Sequence, residues 1–118
     1  MASLIVCLTS DPGTSGHVRR VIEGEEWDKI YAICSEEAGK CFSCTKDVEF
    51  ITINPDMLLP ELSKEINQRL KDKISDFEVS VNFVSGTGKE HMAMISALLK
   101  LGIGLRFVVL TKEGVREL

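Results

Sequence analysis

The sequence has 118 residues, of which 44% are hydrophobic and 27% charged, and a formal net charge of −4. This length suits one domain that buries roughly two-thirds of its unfolded surface, and the composition excludes a disordered chain. It holds no run of Lys or Arg to make the basic face that duplex nucleic acid requires. It also holds no stretch near the roughly 20 apolar residues of a membrane helix. Neither duplex nucleic acid nor a membrane is therefore an expected partner.

The elements follow in chain order. Leu4-Ile5-Val6-Cys7-Leu8 is a continuous apolar run, the mark of a strand covered on both faces. No basic residue precedes it, so residues 1–10 read as strand rather than secretory signal. The four cysteines (Cys7, Cys34, Cys41, Cys44) are accordingly expected to be reduced thiols in the cytoplasm. A short helix is predicted over residues 13–23, with Val18, Val21 and Ile22 inward. Residues 29–34 form a second strand, with Trp27 and Tyr31 as packing residues at its start, and residues 36–42 a short helix before a turn. A third strand spans 48–53.

Leu59, Leu62, Ile66, Leu70 and Ile74 recur at helical spacing, with Lys64, Glu65, Gln68, Arg69 and Lys71 opposite and Pro60 tolerated in the first turn. Strand four is expected at 79–84. A second strong helix at 88–101 is apolar over most of its circumference, and so is either central or set against a partner; Gly102 stops it. Strand five covers 105–110, and Thr111-Lys112-Glu113-Gly114 turns into a short last strand, 115–118. Four alternations of strand and helix argue for parallel pairing through right-handed crossovers. The expected fold is α/β: one Rossmann-like three-layer sandwich over residues 1–118, with a mainly parallel sheet of five to six strands and a C-terminal β-hairpin.

Ligands of such sheets sit outside the carboxyl ends of the strands, where the strand order reverses. Two loops meet that condition. The first, Thr9-Ser10-Asp11-Pro12-Gly13-Thr14-Ser15-Gly16-His17, is dense in hydroxyls and glycines and leads to a helix carrying Arg19 and Arg20. Its candidate contacts are Ser10, Asp11, Gly13, Thr14 and Ser15, although a helix start calls for the same residue types, and Asp11 reads first as a cap. The second is residues 82–92, with Ser85, Gly86, Thr87, Gly88 and Lys89 as candidate contacts and Lys89 and His91 as candidate catalytic groups. The positive end of a helix would point at an anion there. The alternative is a glycine turn that lets helix and sheet pack closely. The loop is not a Walker A motif, because Phe83 stands where that pattern needs glycine and Glu90 where it needs Ser or Thr. Strands one and four are neighbours in the commonest doubly wound order, so the two loops are expected to flank one crevice.

Cys41-Phe42-Ser43-Cys44, with Cys34, would be three zinc ligands lacking a fourth, and no second Cys-x-x-Cys exists. The residues read as plain thiols, and neither metal nor cofactor is expected. Glu23, Glu25 and Glu26 read as a solvated turn.

Val81-Asn82-Phe83-Val84-Ser85-Gly86-Thr87-Gly88-Lys89, followed by Met92, Ala93, Ser96, Ala97, Leu98 and Gly102, resembles the CRISPR-associated Rossmann-fold (CARF) domains. The resemblance covers most of the chain as a pattern of elements and rests in residues on positions 81–102. It implies a homodimer with its two-fold axis near the paired loops, binding a cyclic oligoadenylate second messenger across both subunits. Ser10, Thr14, Ser85, Gly86, Thr87 and Lys89 match the family's contact positions. The chain departs from the family in reading Gly-Thr-Gly-Lys where the commoner form is Gly-Gly-Thr-Lys, and in its short length, from which a stand-alone domain is expected.

Three readings follow. The chain is a cyclic oligoadenylate sensor or a metal-independent ring nuclease, with Lys89 stabilising charge and His91 moving a proton. Alternatively, it is a non-catalytic module for a nucleotide or small anion. In the third reading it is a structural subunit, with helix 88–101 facing a partner.

Overall fold

The computed structural model describes residues 2–9 and 11–118. Six strands and four helices alternate: β1 (Leu4–Leu8), α1 (Pro12–Glu23), β2 (Ile30–Cys34), α2 (Glu36–Cys41), β3 (Glu49–Thr52), α3 (Leu59–Lys71), β4 (Glu78–Asn82), α4 (Gly88–Lys100), β5 (Gly104–Thr111) and β6 (Gly114–Glu117). They form one sheet in the order β3-β2-β1-β4-β5-β6, parallel except for the β5–β6 hairpin. The fold is thus the expected Rossmann-like α/β sandwich. Its strand order reverses between β1 and β4, which pair directly through Leu4–Ser80, Ile5–Val81 and Val6–Asn82.

Alternation of side chains along each strand divides the core in two. Ile5 and Cys7 face α3 and α4, where Leu62, Ile66, Leu70, Ala93, Met94, Ala97 and Leu98 are buried. Leu4, Val6 and Leu8 face α1 and α2, meeting Val18, Val21, Ile22 and Ala38. All five residues of β1 are buried, as a strand covered on both faces must be.

α4 departs from its reading as a central helix. It lies in an outer layer, with Ala93, Met94, Ala97 and Leu98 against the sheet and Met92 and Leu99 left 61% and 59% exposed. Its start carries a full capping box between Thr87 and Glu90. At its end Gly102, with φ of +76°, takes the left-handed conformation that glycine favours.

β4 ends two residues before the expected limit, for a reason legible in the hydrogen bonds. The Asn82 side-chain amide donates to the Val108 carbonyl at 2.7 Å, continuing the β4–β5 ladder through a side chain. The Asn82 Oδ1 accepts from the Val84 N–H at 3.3 Å, which turns the chain out of the sheet. On each edge strand of the sheet an arginine bonds one carbonyl. Arg69 donates to the Thr52 carbonyl on β3, and Arg116 to its neighbour's carbonyl, Val115, on β6. Among the described residues, no helix is long and apolar enough to cross a membrane.

Leu98 is fully buried between α4 and the sheet. Leu98→Ala is expected to lower unfolding stability by about 2–5 kcal/mol, read as a lower urea midpoint at unchanged slope.

Candidate functional site

Both loops singled out in the sequence meet at the carboxyl ends of β1 and β4, and one hydroxyl joins them. Ser85 is fully buried. Its Oγ accepts from the Thr9 N–H at 2.9 Å and from the Thr14 hydroxyl at 3.1 Å, the shorter of that hydroxyl's two contacts (the Asp11 carbonyl lies at 3.4 Å), and it lies 3.0 Å from Thr9 Oγ1. A hydroxyl has one proton and two lone pairs. With both lone pairs of Ser85 occupied, its proton goes to Thr9 Oγ1. Thr9 Oγ1 also accepts from the Asp11 N–H at 3.3 Å. The same count leaves the Thr9 proton available to a ligand.

The helix starts beside this junction are occupied by the chain's own groups. Asp11 caps α1 by accepting from the Gly13 N–H at 3.0 Å, as its first reading held. At α4, the Glu90 Oε1 accepts from the Thr87 N–H at 2.8 Å while the Thr87 hydroxyl accepts from the Glu90 N–H. The carboxylate of Glu90, a residue only 6% exposed, therefore sits where an anion was expected.

Lys89 reaches away from this helix start, its Nζ donating to the Pro55 carbonyl beyond β3 at 2.9 Å. The His91 Nε2 lies 2.8 Å from the Ser85 carbonyl. A carbonyl only accepts, so this nitrogen carries the proton. The ring stacks on Phe83, with centroids 5.4 Å apart. Gly86 has φ of +103°, and a Cβ there would lie 2.5 Å from the Cys7 Sγ and 3.0 Å from the His91 Nε2, so both conformation and space require glycine. Gly88 has no such demand, since a Cβ there would meet open space. Ser10 lies outside the described residues.

Two pockets open on either side of Thr9. One, of about 380 Å³, is lined by Leu8, Thr9, Ser35, Pro55, Thr87, Lys89 and Glu90. The other, of about 140 Å³, lies between α1 and α2 and includes Thr9, Ser15, Arg19 and Ser43. Larger depressions occur elsewhere: about 660 Å³ on the outer face of α4, about 540 Å³ between α3 and α4, and about 420 Å³ at the amino ends of β2 and β3. The first of these touches the loop after β4 through Gly88 and His91 and otherwise runs along the outer face of α4, whereas the other two lie away from the two loops. Of the site residues, Ser35 and Pro55 were not singled out from the sequence, and Thr9, Arg19 and Glu90 stood in or next to the two loops without being candidate contacts. Thr9 had a signal there, as the first polar residue after the apolar run.

The thiols are set apart from this chemistry. Burial pushes Cys34 up to about 11, and burial together with the nearby Glu90 carboxylate raises Cys7 further. Neither is a thiolate near neutral pH. Cys41 is exposed and Cys44 half-buried, and among the described residues no group of three or more His, Cys, Asp and Glu side chains could hold a metal ion.

His17 has a defined role beneath the crevice. Its Nε2 lies 3.2 Å from the Asn82 Nδ2 and 3.5 Å from the Leu110 N, both donors, so Nε2 is the bare nitrogen of a neutral ring. Burial lowers its pKa. No protein-family model matches the chain, and no curated protein shows significant similarity to it.

The His17 shift has a fixed sign. Because the folded chain resists protonation, the unfolded chain takes up the proton first as pH falls below the ordinary value of about 6.5. His17 thus costs no stability above that pH and erodes it below, down to the lowered folded pKa. His17→Gln is expected to flatten this limb, seen as a smaller difference between urea midpoints at pH 7.5 and pH 5.5 than in the wild type.

Proposed function

We propose that the chain is a CARF-like nucleotide-binding module that holds a cyclic oligoadenylate or related nucleotide at the strand carboxyl ends, without turnover. The observation that carries this reading is the Ser85 junction. It fixes the loops after β1 and β4 at the point of strand reversal, with a pocket on either side of the shared Thr9. A doubly wound sheet binds ligands at this position.

Charge divides the work between the pockets. Arg19 is the charged residue of the smaller one, and suits a phosphate. The larger pocket carries Lys89 and Glu90 together, so it suits the less charged base and sugar.

Binding is favoured over cleavage by how the polar groups are spent. The Thr9, Thr14, Ser85 and Thr87 hydroxyls bond one another and the backbone, and none of them is hydrogen-bonded to an imidazole or a carboxylate that could draw off a proton. The Lys89 Nζ and the His91 Nε2 each hold a backbone carbonyl, and the reading assigns them to shaping the loop. The reading also pairs two copies through the outer face of α4, where the exposed Met92 and Leu99 offer apolar surface to a second copy.

The test is thermal shift of the purified protein against cyclic tri-, tetra- and hexa-adenylate, AMP and ATP, with product analysis of each hit. The expected result is stabilisation by at least one of them with the nucleotide recovered intact, and binding weakened about tenfold in Arg19→Ala, the usual worth of a charge-assisted hydrogen bond. Linear products would make the protein a ring nuclease instead. No shift with any nucleotide would overturn the reading and return the loops to packing turns.

A further inference from the structure

The larger pocket contains two groups whose hydrogen-bonding capacity the fold leaves incomplete, and they are of opposite kind. Glu90 is an acceptor. Its Oε1 is committed to the Thr87 N–H, whereas its Oε2 has no hydrogen-bond partner among the described residues. No buried polar side-chain atom of the described residues lacks a partner, so this oxygen is open to solvent although the residue is only 6% exposed. Glu90 lines the larger pocket. Thr9 is a donor, with both lone pairs occupied by the Ser85 hydroxyl and the Asp11 N–H and its proton unspent. It lines the same pocket.

A carboxylate oxygen of a residue only 6% exposed keeps little contact with water, and a ligand that supplies a donor completes its hydrogen bonding. A ligand carbonyl cannot serve, because it only accepts. A phosphate would meet the carboxylate with like charge. A hydroxyl satisfies both sides, donating to Glu90 and accepting from Thr9. In a nucleotide linked through its 3′ and 5′ oxygens, the free hydroxyl is the ribose 2′-OH.

We propose that Glu90, with Thr9, forms a ribose 2′-hydroxyl reader in the pocket between β1 and α4, which makes the site select ribonucleotides over deoxyribonucleotides. This rests on the nucleotide-binding reading above and adds to it the sugar that the site requires. Glu90 then has two duties on its two oxygens: one closes the start of α4, and the other recognises the ligand. The fold holds the carboxylate in place before any ligand arrives, which limits the ordering cost of binding.

The test is calorimetric titration of wild type and Glu90→Gln with cyclic tetra-adenylate and AMP, each against its 2′-deoxy counterpart. Gln keeps an oxygen to accept from the Thr87 N–H, so the capping box survives, and replaces the open carboxylate oxygen with an NH₂ donor. The wild type is expected to bind the ribo form about tenfold more tightly than the deoxy form. Glu90→Gln is expected to bring the two within about twofold, chiefly by weakening the ribo form. Equal wild-type affinity for ribo and deoxy ligands would overturn the 2′-hydroxyl reader and leave nucleotide binding standing, and this arm needs no variant. Discrimination that survives intact in Glu90→Gln would likewise overturn the role of Glu90. Failure of the wild type to bind either ribo ligand would overturn the nucleotide-binding reading, and this inference with it.

Discussion

The arrangement of the crevice depends on one buried hydroxyl. Ser85 stands after β4, and the groups it binds, Thr9 and Thr14, stand after β1, more than seventy residues earlier in the chain. Buried away from water, its Oγ must find partners within the protein, and all of its capacity is taken by the other loop. That single demand ties the two loops together and leaves the Thr9 proton unspent, one residue before the glycine conformation at Gly86. The strand pairing below supports it: β1 and β4 are adjacent because the sheet reverses direction there. The Asn82 amide, bonded to the Val108 carbonyl and the His17 ring, fixes where β4 ends and the loop begins.

A second constraint shapes the electrostatics. Helix N-termini aimed at a crevice would ordinarily favour an anion. Here α1 is capped by Asp11, α2 by Ser35 and α4 by the Thr87–Glu90 box. The chain thus neutralises its own helix starts with carboxylates and hydroxyls, and the charge available to a phosphate comes from a side chain, Arg19, on the other side of Thr9. The result is a site of mixed character, with cation and carboxylate on opposite sides of one threonine. Such a site suits a ligand that itself has a charged end and a hydroxyl-bearing end.

Much of this was legible in the sequence, and the physical reasons are specific. The unbroken apolar run at Leu4–Leu8 announces a strand buried on both faces, and the period of Leu62, Ile66 and Leu70 announces α3. The two loops were found because a parallel sheet sends its connections to the carboxyl ends of its strands. Where each polar group spends its hydrogen bonds was not legible. Lys89 and His91 look available in one dimension, yet their nitrogens lie on the Pro55 and Ser85 carbonyls. Glu90 looked like the residue that spoils a phosphate loop, and in the structure it is the capping residue that also lines the larger pocket. The apolar character of α4 was read correctly as composition, but its two-sidedness, with Ala93 and Leu98 inward and Met92 and Leu99 outward, emerges only once the sheet has chosen a face.

The most direct measurement of the central claim is a backbone amide correlation spectrum of the protein titrated with cyclic tetra-adenylate. The account predicts that the largest shift changes fall on Thr9, Ser85, Gly86 and Thr87, with smaller ones at Ser35, since these amides border the crevice on both sides of the Ser85 junction. Changes confined to residues at the amino ends of β2 and β3, around Trp27 and Tyr31, or a spectrum that does not move, would contradict it.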